Sequence, residues 1–161
     1  MSELIYCVLL LRLNIMSIFS KACEYGIRAM LHISTQSQEG RRVSLKDIAA
    51  AIDSPEAFTA KILQQLARHG IVDSVKGPNG GFEIAEKNRS KIRLSHIVSA
   101  IDGDQVYRGC GLGLKECNAD KPCPVHDRFK VIREELKDML ENTSMEDLTF
   151  QLKDGLTFLK R

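Results

Sequence analysis

Residues 44–85, SLKDIAAAIDSPEAFTAKILQQLARHGIVDSVKGPNGGFEIA, decide the fold. Ser44 precedes the short apolar-periodic run Leu45 to Ala50 and is placed to cap it, with Asp47 at the position of a capping-box acid. Asp53-Ser54-Pro55-Glu56 then reads as a second helix start: a polar cap, Pro at the first helical position, an acid in the first turn. That helix, Pro55 to His69, carries Phe58, Ile62, Leu63, Leu66 and Ala67 at three-to-four spacing, and Gly70 stops it. Two β-prone runs follow, Ile71 to Lys76 and Phe82 to Ala85, around the tip Gly77-Pro78-Asn79-Gly80-Gly81. Two short helices with a tight connection and an immediate hairpin predict a winged helix-turn-helix.

Upstream, Ser20 can cap a helix to about Thr35, with Ala22, Tyr25, Ile27, Ala29, Met30 and Ile33 as its apolar positions and Gln36 to Arg42 as the loop after it. Residues 1–15 are apolar from Leu4 to Ile15, but they carry Glu3, no basic residue before the apolar run, Arg12 inside it and no small-residue cleavage site. They read as a start-site extension, too short to span a bilayer. Downstream, Leu94 to Ile101 forms a short amphipathic helix. Periodicity then vanishes from Asp102 to Pro124, a span too long to stay structureless unless something holds it. It returns from His126 with Phe129, Ile132, Leu136, Met139 and Thr143, the seam of a long packing helix, and a last amphipathic stretch runs from Thr143 to Leu159. The expected fold is mainly α with a small β-hairpin wing. Its expected segments are the extension 1–15, the winged helix-turn-helix 16–93, a helix and cysteine-rich loop 94–126, and a helical dimerisation arm 127–161.

With 43% hydrophobic and 27% charged residues, the 161-residue composition is that of a globular protein. The net charge of +2 conceals an asymmetry: residues 16–93 hold twelve Lys/Arg against eight Asp/Glu, and residues 94–161 ten against twelve. Basic charge therefore coincides with the winged-helix motif, which points to double-stranded DNA. The second helix of the pair enters the major groove, so Ser54, Glu56, Thr59 and Lys61 are its contact candidates, with Ala57 and Ala60 small enough to permit close approach. Lys76 and Asn79 at the wing can reach phosphates or the minor groove, and Arg41, Arg42 and Lys46 flank the backbone.

Of five cysteines, Cys110, Cys117 and Cys123 crowd into one Gly-rich loop. An odd count with this clustering fits a ligand set better than a disulfide framework and suits a reducing cytoplasm. Thiolates this close on a flexible loop can converge on one metal centre, and His126 stands three residues after Cys123. Structural zinc prefers paired C-x2-C knuckles, which are absent; a thiol switch needs only two of the cysteines. An enzyme fits poorly. Gly109, Gly111 and Gly113 follow no strand and open no helix, and a Cys–His126 pair lacks an orienting third group.

The runs Val43 to Ala49, Lys61 to Leu66 and Gly70 to Phe82, with the double glycine and aromatic at the wing tip, resemble the Rrf2 family of regulators, the group of IscR, NsrR and CymR. The resemblance extends from Phe19 to about Leu159. It implies a homodimer on a palindromic operator and an iron–sulfur cluster held by Cys110, Cys117 and Cys123, which ranks ahead of zinc or a bare thiol switch. A two-iron, two-sulfur cluster ranks ahead of a four-iron, four-sulfur one. The first cysteine interval is one residue longer than in the cluster-binding members, which leaves the cluster type open. The resemblance makes His126 the first choice of fourth ligand. Other members take an acid from the first helix of the partner subunit, where Glu24 stands here, and Cys23 beside it ranks third.

Overall fold

The computed structural model describes residues 18–157 and residue 159. The expected extension 1–15, with Cys7, lies outside the described residues. Helix α1, Lys21–Gln38, starts where Ser20 Oγ accepts the Cys23 N–H at 3.1 Å. It runs three residues past Thr35, so Gln36 to Gln38 belong to the helix and not to the loop. Cys23, Gly26, Ala29, Met30, Leu31, Ile33 and Ser34 are buried along it, more than one face's worth, because neighbours pack around most of its circumference.

Helix α2, Leu45–Ile52, is capped as expected: Ser44 Oγ accepts the Asp47 N–H at 3.2 Å and donates to the Asp47 carboxylate at 2.7 Å. Asp53 ends α2 in the left-handed region at φ 52°, with the Ser54 N–H returning to the Ala49 carbonyl at 3.0 Å. The sequence reading made Asp53 part of the next helix start; it instead closes the previous one. Helix α3, Glu56–Arg68, accordingly begins one residue later than expected, with Pro55 as its cap. Strands β1, Asp73–Val75, and β2, Gly81–Glu83, pair antiparallel and form the wing. Val43 adds a bridge, its N–H donating to the Phe82 carbonyl at 3.0 Å and its carbonyl accepting from Phe82 at 2.8 Å.

Close backbone approaches explain the double glycine, with the Val43 bridge crowding Gly81 and the wing's own turn crowding Gly80. Gly81 sits at φ +143°, and a Cβ there would lie 2.7 Å from the Val43 carbonyl oxygen; one at Gly80 would lie 2.3 Å from that of Val75. Gly81→Ala is therefore expected to cost on the order of 1–3 kcal/mol of stability. The check is chemical denaturation, and an unchanged midpoint would refute the close approach.

Beyond the wing come α4, Glu86–Arg89, α5, Leu94–Ile101, and α6, Gln105–Arg108. Neither α4 nor α6 was expected; each is a single turn, below the length at which periodicity is legible. Helix α7, His126–Asn142, matches its expected span. Helix α8, Met145–Lys153, stops well short of Leu159, and Leu156 beyond it is 69% exposed. Rather than extending away, α8 returns to α1: the buried Thr149 Oγ1 donates to Ser34 Oγ at 2.9 Å. The Leu94 N–H donates to Thr143 at 3.0 Å and the Met145 N–H to Ile92 at 2.9 Å, stitching the C-terminal helices to α5. One core, including Met30, Ile48, Leu63, Leu66, Ile97, Leu140 and Met145, therefore runs from α1 to α8.

Candidate nucleic-acid interface and cysteine loop

Helix α3 buries Thr59, Ile62, Leu63 and Leu66 against α1, α2 and α5. Its opposite face exposes Glu56, Ala57, Lys61, Gln64 and Arg68. Thr59 was expected among the exposed contacts and is instead 1% exposed. Its hydroxyl bonds to the Pro55 carbonyl at 3.1 Å and to the half-buried Ser54 hydroxyl at 3.0 Å, so it secures the helix start from within. Gln64 and Arg68 share this exposed face and were not among the expected contacts. Ala57, Lys61, Gln64 and Arg68 follow a four-three-four spacing that would have found them.

Lys46, Lys76 and Asn79 are exposed as expected. Arg41 pairs with Glu39, and Arg42 Nε with Glu83 Oε1 at 2.9 Å. Such exposed pairs contribute little to stability and are readily exchanged for a phosphate. Arg41, Arg42, Asn79 and Gly80 line one surface depression beside the wing.

Three bonds tie this unit to the end of α5 and to the start of the loop that follows it. Gln65 Nε2, on α3, donates to the Ala100 carbonyl at 2.7 Å. At the first loop residue, Asp102 accepts the Ser20 N–H at 2.9 Å and the Ser20 hydroxyl.

The loop itself is gathered onto one face of α7, whose His126, Phe129 and Arg133 stand at three-and-four spacing. His126 opens the helix and is buried; its N–H donates to the Cys123 carbonyl at 3.0 Å, and its Nδ1 lies 3.4 Å from Cys117 Sγ. Arg133 Nη2 donates to the same sulfur at 3.2 Å. Gly111 lies over the Phe129 ring, where a Cβ would come within 2.5 Å of ring carbons. The Cys110 thiol is held below its ordinary range by the N–H groups of Leu112 and Leu114, then by the Cys123 thiol and the Arg133 guanidinium. The four donors thus stand as two pairs, Cys110 with Cys123 and Cys117 with His126. Among the described residues, no group of three or more His, Cys, Asp or Glu is poised to hold a metal ion.

Cys23 lies elsewhere. It is fully buried in α1, its thiol pushed up to about 12 by burial first and by Asp102 second, and a neutral, enclosed thiol is inert. Glu24 stands in the first turn of α1 with Lys21 Nζ at 2.7 Å. The expected seam of α7 is split: Phe129, Leu136 and Thr143 turn inward, while Ile132 and Met139 remain 57% and 44% exposed beside Val131. Among the described residues no helix is long and apolar enough to cross a membrane.

Residues 19–151 match the Rrf2 family, described as an iron-dependent transcriptional regulator. The chain belongs to the Rrf2 family. This Rrf2 chain is 32% identical over 133 residues to an HTH-type transcriptional regulator of Aquifex aeolicus, covering 81% of this chain and 90% of that one. It is 29% identical over 124 residues to the HTH-type regulator IscR of Pectobacterium atrosepticum, with 77% and 74% covered. Its fold matches CymR, the global cysteine regulator of B. subtilis, at a TM-score of 0.66 and 23% identity over 82% of this chain and 95% of that one. It also matches T. potens IscR at 0.67 and 21%, over 88% and 92%. The winged-helix fold is thereby established, and the Rrf2 chain is a transcriptional regulator.

Proposed function

We propose that this regulator binds double-stranded DNA as a cytoplasmic homodimer on a palindromic operator. Its switch is an iron–sulfur cluster on Cys110, Cys117 and Cys123, with His126 as fourth ligand, reporting redox state, nitric oxide or iron–sulfur supply. The work is divided between a DNA-binding unit, residues 16–93, the cysteine loop within 94–126, and a dimerisation arm beginning at 127; the role is regulatory and not enzymatic. The observation that carries the reading is the convergence of thiol, imidazole and guanidinium at Cys117, His126 and Arg133 on one face of α7. Three thiols and one imidazole are a donor set suited to such a cluster, although the two pairs must open around it. When bound, the cluster supplies metal–ligand bonds sensitive to oxidation and nitrosylation.

The protein's own part is to hold the loop and relay its arrangement. The bonds from Asp102 to Ser20 and from Gln65 to Ala100 support a path from the loop to α1 and the recognition helix, whose spacing in a dimer sets operator fit. Anaerobic purification followed by iron and sulfide analysis and a visible spectrum tests the cluster. Colourless, iron-free protein under those conditions would overturn the reading.

Lys61→Ala, Arg68→Ala or Lys76→Ala should each weaken DNA binding, and a residue touching only phosphate should also reduce the salt slope by about one. Unchanged affinity and slope in all three variants would refute the assignment of this face to DNA.

One observation favours a second reading, a cluster-free thiol switch: Cys110 and Cys123 are free thiols, and the Cys123 thiol helps to hold that of Cys110 below its ordinary range. Mass analysis after mild oxidation of iron-free protein separates the two, since the switch requires a Cys110–Cys123 disulfide that alters DNA affinity.

A further inference from the structure

Among the described residues Arg133 makes no ion pair with an acidic side chain, although it lies on a helix rich in Glu and Asp. Its Nη2 donates to Cys117 Sγ at 3.2 Å, and Nη1 is buried with no hydrogen-bond partner. An orphaned N–H group on a cation is costly unless an acceptor arrives to satisfy it. The guanidinium is rigid and its donors fork, so a group bonded through Nη2 presents Nη1 to a second acceptor beside the first. On this face the fork already holds the Cys117 sulfur through Nη2, so the acceptor that satisfies Nη1 has to arrive beside that sulfur.

We propose that Arg133 is a positioning residue for the cysteine loop, holding the Cys117 sulfur in place and offering its second N–H to the anionic sulfur of the bound cluster. This rests on the cluster reading above. A cation donating hydrogen bonds to sulfur stabilises the more negative, reduced state, so Arg133 raises the electron affinity of the centre. It would also tie the redox state to α7, because the side chain springs from the middle of that helix.

The test uses Arg133→Met and Arg133→Lys in the full-length protein, each purified and loaded anaerobically beside the unaltered chain. At a fixed solution potential, Arg133→Met is expected to shift the oxidised-to-reduced ratio about tenfold toward oxidised, equivalent to 59 mV for a one-electron couple. Arg133→Lys, which keeps the charge but loses the fork, should recover most but not all of that shift. Equal ratios in the loaded Met variant and the unaltered protein would overturn the proposal. A second arm uses the metal-free proteins and measures alkylation of Cys117 by iodoacetamide, resolved by peptide mass. Loss of the Arg133 bond should slow it several-fold relative to Cys123, whether or not the Met variant loads. An unchanged Cys117 rate overturns the positioning role. Absence of iron and sulfide from the unaltered protein instead overturns the cluster reading, and with it the electron-affinity claim, while the alkylation arm still decides the contact.

Discussion

Replacing Cys110, Cys117 or Cys123 by Ala is expected to abolish stoichiometric iron, sulfide and visible absorbance while leaving a folded dimer. The separation follows from where the residues lie. All three thiols are half-buried in a loop outside the apolar core, whereas that core is built from α1 to α3, α5, and the junction of α7 with α8. Losing a ligand removes the bonds that hold the loop in one arrangement, so DNA affinity or site choice should change with it. His126→Ala should weaken cluster retention or alter the spectrum, and Glu24→Ala should do so only if the fourth ligand comes from α1. Full iron and sulfide in all three cysteine variants would sink the ligand assignment. Unchanged DNA binding after cluster loss would sink the switch.

The double variant Ile132→Glu, Met139→Glu should convert the proposed dimer into a monomer. Both side chains lie seven residues apart on the outer face of α7, exposed in the single chain beside Val131, the kind of apolar stripe that a second copy buries. Two carboxylates in that stripe would be desolvated on association, costing several kcal/mol in a dimer and little in an isolated exposed helix. Circular dichroism should be unchanged and sedimentation should report the monomer mass. Affinity for a palindromic site should fall toward the non-specific level, ~10³-fold or more, because each monomer reads only one half-site. A dimer retained by the double variant would place the interface elsewhere.

Much of the candidate site was legible before the fold. The Ser20 and Ser44 caps, the α2–α3–wing order, the double glycine and the cysteine loop ending at His126 all appear as expected. The misreadings have particular causes. Asp53 looked like a helix start because Asp is a common cap, yet the same short side chain tolerates the left-handed turn that ended α2. Thr59 looked like a polar contact on an exposed face, but a threonine can satisfy its own hydroxyl through Pro55 and Ser54 and then pack with the core.

What the sequence by itself determined is what depends on near neighbours: helix periodicity, caps within four residues, the hairpin tip, and three cysteines crowded into one loop. Tertiary structure alone decided which groups meet across the chain. Asp102 reaches Ser20 across 82 positions, Thr149 reaches Ser34 across 115, and Gly81 is squeezed by Val43. It also decided that Arg133, to all local appearance one more solvated charge on a long helix, turns inward to a cysteine sulfur sixteen residues earlier. No local spacing encodes such meetings, because they arise only when helices are packed face to face and the loop between them has to lie on one of those faces.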